Sequence, residues 1–122
     1  MTAYLSSLAD NIEVNIVSLG RYDAMPILKQ KLNGYRRIWK RVYIGVTSNP
    51  ERRWAKHASN GWQKMVLLYD AYRPDIAVEM ERELIEHAHD CRYIIDIENI
   101  NLGGEGLSHE QRSNYLYVIV SN

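Results

Sequence analysis

The chain has 122 residues, of which 46% are hydrophobic and 25% charged, and these values are ordinary for one globular domain spanning residues 1–122. Formal charge sums to zero but is unevenly spread: residues 1–64 hold 11 Lys/Arg against 4 Asp/Glu (+7), and residues 65–122 hold 4 against 11 (−7). The single cysteine, Cys91, excludes an internal disulfide and a cysteine-based zinc site. Since no apolar run is long enough to span a bilayer and the N-terminal segment does not resemble a signal peptide, we expect a cytoplasmic (intracellular) protein without membrane association.

In chain order, the sequence predicts a short apolar turn or helix at 2–9, a strand at 12–18, a helix at 23–32, a turn at 33–34, a strand at 39–45 and a helix at 50–58. It then predicts a strand at 65–70, a helix at 76–89, a short strand at 93–97, a glycine-containing loop at 99–108 and a strand at 115–120. Asp23 and Asp75 are expected as helix caps, with Pro26 in a first turn. These elements predict an α+β domain of the α/β sandwich type, with a small, mainly antiparallel sheet of about three to five strands flanked by helices.

The positive charge is concentrated between Lys29 and Lys56, where Tyr35, Trp39 and Trp54 are interleaved with it. Basic stretches with aromatic residues are typical of surfaces that follow a nucleic-acid backbone, although the same cations could simply solvate one side of a small domain. The candidate DNA-contacting residues are Arg36, Arg37, Lys40, Arg41, Arg52 and Lys56.

The segment 43–57 combines side chains suited to phosphate chemistry. Tyr43 ends a predicted strand and is followed by what we interpret as a tight turn at Gly45. Asn49 is a favourable N-cap, and the proline after it suits the first helical position. Arg53 and His57 are four residues apart and therefore share one face of the predicted helix. A phenol, a guanidinium and an imidazole are thus directed towards one place.

Glu81 interrupts the apolar stripe of the helix at 76–89. This stripe consists of Ala77, Met80, Leu84, Ile85 and Ala88. A carboxylate within the stripe must be paired, protonated or bound to a cation, because burying it alone is costly. Two interpretations remain open: a buried ion pair with Arg53, or a metal ligand or acid/base group directed into a site. A single carboxylate suits Mg²⁺, which keeps much of its hydration shell.

Together these segments resemble the GIY-YIG nuclease superfamily over residues 42–106. The second half of its signature is matched by Tyr43, Ile44, Gly45, Thr47, Asn49, Pro50, Arg53 and His57. A strand like 65–69 follows, then a helix with the spacing of Ala77, Glu81 and Ile85. Some branches close with a loop like Asn99, Gly103, Gly104 and Gly106, which by itself would be read as a surface turn.

The family's first strand, with its own tyrosine, is missing from its usual place before Tyr43. The C-terminal strand at 115–120 resembles it and would place Tyr117 at the first family tyrosine. We therefore hypothesise a circularly permuted or rearranged domain, in which the strand at 39–45 lies in the sheet interior beside the C-terminal strand. The alternatives are that residues 12–18 fill this slot without a tyrosine, or that the first tyrosine is absent.

The resemblance implies an endonuclease that hydrolyses DNA phosphodiester bonds with one Mg²⁺ or Mn²⁺ ion. Tyr43 and Tyr117 would flank the attacking water, and Glu81 would hold the metal. Arg53 would stabilise the phosphoryl charge, and His57 would orient a group or relay a proton. Asn99 would position Glu81 or the substrate backbone. Because the chain shows no separate DNA-recognition domain, a DNA-targeting partner or a homodimer is expected, and the gene could belong to a phage or a mobile element.

Two other classes of function remain open. The first is a nucleic-acid-binding module of the same fold that no longer cuts. The second is an interaction or scaffolding domain in which Arg53 and Glu81 form a structural ion pair.

Overall fold

The computed structural model describes residues 10–90 and 113–122. The described elements are β1 (Ile12–Val14), α1 (Arg21–Ile38), β2 (Arg41–Thr47), α2 (Pro50–Ser59), β3 (Lys64–Ala71), α3 (Pro74–Asp90) and β4 (Asn114–Ser121). They form a mixed four-stranded sheet with three helices, which confirms the predicted α+β class. The predictions for 2–9, for the strand at 93–97 and for the loop at 99–108, including Asn99, lie outside the described residues. None of the described helices is both long and apolar enough to cross a bilayer.

The sheet confirms the predicted pairing between the C-terminal strand and the strand of Tyr43. The strand order is β1-β3-β4-β2, with β1 parallel to β3 and the other two pairs antiparallel. In the β2–β4 register, Tyr43 is opposite Ile119 and Gly45 is opposite Tyr117. However, β4 lies in the sheet interior, whereas β2 pairs only with β4 among the described strands. The prediction that the strand of Tyr43 would be interior was therefore wrong.

Alternation along the strands gives the sheet two different faces. On the α1/α3 face, apolar side chains of both helices pack against Val42, Ile44, Val46, Val66, Leu68, Leu116, Val118 and Val120. On the α2 face, Trp54 packs with Ile12, Met65, Leu67, Tyr115, Tyr117 and Ile119, and Tyr43 and Trp62 lie partly buried beside them. Since successive strand residues point to opposite faces, β2, β3 and β4 each contribute to both clusters.

Helix α1 is longer than predicted. Gly20 is its N-cap, not Asp23, and Pro26 lies within the helix instead of in its first turn. The turn predicted at 33–34 was wrong, because α1 continues through both residues and its buried stripe extends to Arg36. A hydrogen bond also ties this region to α3, since His87 Nε2 donates to Asn33 Oδ1 over 3.0 Å. Tertiary burial thus overrides a local turn signal.

Three other boundaries differ from prediction. Helix α3 begins at Pro74, so Asp75 lies in its first turn, where its carboxylate accepts two hydrogen bonds from Arg73, of 3.0 and 2.9 Å. Strand β1 ends at Val14, although the backbone beyond it still donates hydrogen bonds to β3. Strand β2 is displaced two residues towards the C-terminus, because the C-cap of α1 occupies Trp39.

Candidate active site on the α2 face

A short capped connection carries the chain from β2 directly into α2. Asn49 is the N-cap, as predicted, and its Oδ1 accepts a hydrogen bond from the backbone N–H of Arg52 over 3.2 Å. The hydroxyl of Thr47 accepts a hydrogen bond from the N–H of Asn49 over 3.1 Å. Pro50 occupies the first helical position, where its missing N–H costs nothing. The connection fixes where α2 starts, and so where its side chains meet the sheet.

The structure brings Tyr43, His57 and Tyr117 together on the α2 face. Nε2 of His57 and the hydroxyl oxygen of Tyr117 share a hydrogen bond of 2.8 Å. The His57 ring lies 5.7 Å, centroid to centroid, from the rings of both Tyr43 and Tyr117. The three residues, which we call the Tyr–His–Tyr cluster, come from β2, α2 and β4. Their proximity therefore depends on the pairing of the C-terminal strand with β2.

Gly45 is required in this cluster because its strand partner needs the space. It lies within β2, so the tight turn predicted there was wrong. A Cβ at this position would lie 2.5 Å from both Cζ and the hydroxyl oxygen of Tyr117. The phenol ring therefore lies across the glycine backbone, and its side chain is only 2% exposed. Any larger residue would displace the hydroxyl from His57.

His57 is a neutral imidazole at neutral pH. Its pKa is lowered from 6.5 to about 4, chiefly by burial and also by the nearby positive charges of Arg53 and Lys56. A neutral ring has one nitrogen that donates and one that accepts, so the tautomer decides the direction of the bond to Tyr117. Arg53 precedes His57 by one helical turn, so the two side chains share a face of α2.

Arg41 and Trp62 extend the cluster, although Trp62 is not among the site residues predicted from the sequence. The guanidinium of Arg41 lies over the indole of Trp62, 4.2 Å from the ring centroid, and the indole lies 6.2 Å from the ring of Tyr43. The chain reaches this position through Gly61, whose φ is +91°. A glycine just after a helix end commonly reverses the chain in this way, and that signal could have indicated that Trp62 folds back towards the sheet.

Glu81 is buried, as its position in the stripe predicts, with 1% of its surface exposed. It lies on α3, whose apolar stripe packs on the α1/α3 face. Glu81 has interactions with other residues, but its Oε1 makes no hydrogen bond in the structure. No group of three or more His, Cys, Asp or Glu side chains within residues 10–90 and 113–122 is arranged to hold a metal ion.

The structure divides the predicted DNA-contacting residues. Arg36 is 0% exposed because it continues the buried stripe of α1, so the prediction that it contacts DNA was wrong. The remaining members of the set reach solvent: Arg37, Lys40, Arg52 and Lys56 are exposed, and Arg41 is partly buried. Other cations of α1 are paired with acidic residues of α3, since Arg21 bonds Glu79 over 2.8 Å and Lys29 bonds Glu83 over 2.9 Å.

Comparison with protein-family models identifies the GIY-YIG catalytic domain at residues 35–90. The resemblance to the GIY-YIG nuclease superfamily is thereby confirmed. The matched segment contains β2, α2, β3 and α3, with Tyr43, Arg53, His57 and Glu81, and β4 with Tyr117 lies outside it. Comparisons with curated proteins and with solved structures gave no match.

Proposed function

We propose that this GIY-YIG domain is an endonuclease that hydrolyses DNA phosphodiester bonds with the help of a divalent metal ion. The family match supports a nuclease of this superfamily. The observation that carries the finer proposal is the 2.8 Å hydrogen bond between His57 and Tyr117 beside Tyr43. It gives two phenols and a neutral imidazole in one cluster, which is an arrangement suited to moving a proton from water.

The Tyr–His–Tyr cluster would activate the attacking water. In the tautomer with an unprotonated Nε2, the Tyr117 hydroxyl donates a hydrogen bond to His57, and its oxygen can accept one from the attacking water. When the water gives its proton to this oxygen, the phenolic proton would pass to Nε2 of His57. Because the pKa of His57 is about 4, the ring remains neutral and available for this hydrogen bond throughout the physiological range. Tyr43, whose ring also lies 5.7 Å from the imidazole, would hold the water or pass on its proton. In this proposal Tyr117 takes the place of the missing first tyrosine, in a permuted domain.

Arg53 would stabilise the charge that develops on the phosphoryl oxygens. It is one helical turn before His57 on the same face of α2, and it is partly exposed, so a phosphate could reach it. The planar guanidinium can bind two phosphate oxygens at once, which an ammonium group cannot do. Fixed charges of this type act mainly on the transition state.

Glu81 is the residue that would hold the metal. Its carboxylate is the hard oxygen donor that Mg²⁺ and Mn²⁺ prefer. Since only one such carboxylate is expected, water and substrate phosphate would supply the other ligands. A bound ion there would polarise the scissile phosphate and stabilise the leaving oxygen. Asn99 remains part of this proposal as a positioning residue.

DNA would be held by exposed cations at the end of α1 and on α2. Arg37 and Lys40 lie at and just beyond the end of α1, and Arg52 and Lys56 lie one turn apart on α2. Their side chains are exposed, and among the described residues they take part in none of the ion pairs that neutralise the α1/α3 surface. They can therefore contact phosphates without first breaking a salt bridge.

A catalytically inactive nucleic-acid-binding module is the second candidate. The burial of Glu81 at 1% exposure favours it, because a metal with water ligands needs access to the carboxylate. A DNA-targeting partner or a homodimer fits either candidate, because four exposed cations on a small domain would give weak affinity by themselves.

Plasmid nicking by Arg53→Ala and Arg52→Ala tests the catalytic proposal with two adjacent arginines. Arg53→Ala should reduce cleavage by about 10²–10³-fold while DNA still binds, because it removes transition-state charge stabilisation. Arg52→Ala should weaken binding slightly and leave the cleavage rate at saturating enzyme unchanged. Equal effects of the two substitutions on cleavage would contradict the role given to Arg53.

Glu81→Gln tests the metal. It should abolish cleavage, and it should remove any increase in melting temperature that Mn²⁺ gives the wild type. If wild-type protein cleaves in excess chelator, or if Glu81→Gln still cleaves, the metal-dependent mechanism is wrong. A structural carboxylate predicts instead that Glu81→Gln lowers the melting temperature with or without Mn²⁺. DNA binding without cleavage by the wild type would identify the inactive module.

A further inference from the structure

Trp62 occupies a fixed and partly exposed position at the edge of the Tyr–His–Tyr cluster. Its backbone N–H donates to the carbonyl of His57 over 3.3 Å, so the turn after α2 is tied to the residue that contacts Tyr117. The next residue, Gln63, donates its N–H to the carbonyl of Val120 and accepts a hydrogen bond of 2.7 Å from the N–H of Asn122. The indole is therefore held between α2 and the end of β4.

The indole is also paired with a cation. Arg41 precedes Tyr43 by two residues on β2, so both side chains point to the α2 face. Its guanidinium lies over the indole at 4.2 Å from the ring centroid. Both side chains are partly exposed, so this Arg41–Trp62 pair presents a surface that combines a π system with a positive charge.

Such a surface matches the chemistry of an unpaired nucleobase. Bases stack on tryptophan rings and on guanidinium planes, and a neighbouring cation attracts the phosphate attached to them. A base within an intact duplex offers no open face, because its neighbours already stack on it. The pair therefore fits single-stranded or unpaired nucleotides better than intact duplex.

We propose that the Arg41–Trp62 pair is a stacking subsite for an unpaired base near the scissile phosphate, so that the protein prefers DNA with single-stranded or unpaired nucleotides. The proposal rests on the nuclease function above and adds its substrate class. The subsite is close enough to serve the cluster, because the indole lies 6.2 Å from the ring of Tyr43. The fixed turn gives further support, since a stacking platform held in place loses little conformational entropy when it binds.

Binding of a 12-nucleotide oligo-dT strand and of a 12-base-pair duplex tests this directly, measured by fluorescence anisotropy in chelator so that no cleavage occurs. Trp62→Leu keeps an apolar side chain against Tyr43 but cannot stack, and Trp62→Phe keeps an aromatic ring. We expect Trp62→Leu to weaken single-strand binding by about tenfold and duplex binding by less than twofold. Trp62→Phe should retain most of the single-strand affinity.

Tyr72 provides the matched control. It is 70% exposed and follows β3, whereas Trp62 precedes that strand, so the two aromatic residues lie at opposite ends of it. Tyr72→Ala should change neither affinity. If Trp62→Leu weakens both DNA forms equally, or changes only the cleavage rate, Trp62 merely supports Tyr43 and the stacking subsite is wrong.

The outcome for the wild type separates this inference from the proposed function. If the wild type nicks plasmid DNA but Trp62→Leu does not change the ratio of single-strand to duplex affinity, the subsite is wrong and the nuclease stands. If the wild type neither binds nor cuts any DNA, the nuclease proposal fails and the subsite fails with it.

Discussion

The two faces of the sheet are built from alternate residues of the same strands, yet they differ in chemistry. The α1/α3 face is a closed apolar cluster, in which Leu28, Leu68, Leu84 and Leu116 are all 0% exposed. On the α2 face, buried apolar groups are mixed with hydrogen-bonding aromatic residues and with cations. One helix covers the α2 face and two cover the other, so part of the α2 face remains accessible.

This difference indicates that one face of the sheet mainly stabilises the fold and the other mainly positions the residues of the candidate site. Burial of the α1/α3 face supplies most of the hydrophobic stabilisation, because the gain scales with the apolar area removed from water. The α2 face contributes less hydrophobic stabilisation, because it holds a phenol, an imidazole and an indole at defined distances and leaves them partly accessible. Substitutions on the two faces should therefore affect different measurements.

Adjacent residues of β4 provide the largest expected contrast. Tyr117→Phe removes only the hydroxyl that bonds His57, so it should lower cleavage by about 10²–10⁴-fold with little change in melting temperature. Leu116→Ala opens a cavity on the α1/α3 face and should reduce the free energy of unfolding by about 2–5 kcal/mol. The cleavage rate of folded Leu116→Ala protein should be unchanged. Chemical denaturation and nicking assays on both variants check this, and a reversed pattern would contradict the division between the faces.

Arg36 and Arg37 extend the contrast to two neighbouring cations. Arg36→Ala should reduce the free energy of unfolding by about 3–5 kcal/mol, because it removes a fully buried charged group together with its interactions. Arg37→Ala should change stability by less than about 0.5 kcal/mol, because its side chain is exposed. Only Arg37→Ala should reduce the salt dependence of DNA binding. The slope of the logarithm of the binding constant against the logarithm of the salt concentration should become shallower by about 1. Denaturation and binding at several salt concentrations distinguish the two.

Two glycine-to-alanine substitutions should have opposite signs. Gly45→Ala places a methyl group against the Tyr117 phenol and should cost about 1–3 kcal/mol of stability, with a loss of cleavage. Gly34→Ala meets no atom within 4 Å and lies within α1, so it should stabilise the protein by about 0.5–1 kcal/mol. Melting temperatures measured side by side provide the test. A Gly45→Ala protein that cuts at the wild-type rate would show that Tyr117 does not need its observed position.

A dependence of stability on pH through His57 gives a further test of the α2 face. Its folded pKa of about 4 lies below the unfolded value of 6.5, so only the unfolded chain takes up a proton as the pH falls through this interval. The contribution of His57 to stability should therefore decrease from pH 6.5 towards pH 4 and be constant above pH 7. His57→Gln should show a shallower fall in melting temperature over this interval. In Arg53→Ala, an NMR titration should show the pKa of His57 moving upwards; a pKa that does not move would contradict the proximity of the two side chains.

Local patterns in the sequence determined several helices and strands of this protein and the burial of one candidate site residue. The 3.6-residue stripe located Glu81 on a buried helix face, because helical periodicity does not depend on the partner that covers it. Asn49 and Pro50 determined the start of α2, because capping is a contact between near neighbours. The high β propensity of 115–120 predicted the last strand, and the resemblance of its Tyr-Leu-Tyr sequence predicted its pairing with β2.

Other features were decided only by tertiary structure. Arg36 is buried because α1 continues past Asn33 and Gly34, which locally favour a turn, and packs that stripe on the sheet. The need for glycine at position 45 comes from the ring of Tyr117, which is distant in sequence and approaches only through strand pairing. Trp62 joins the cluster for the same reason, since its neighbours Arg41 and Tyr43 belong to another strand. Periodicity and capping are local and can be read from the sequence, whereas contacts between distant segments exist only once the sheet has formed.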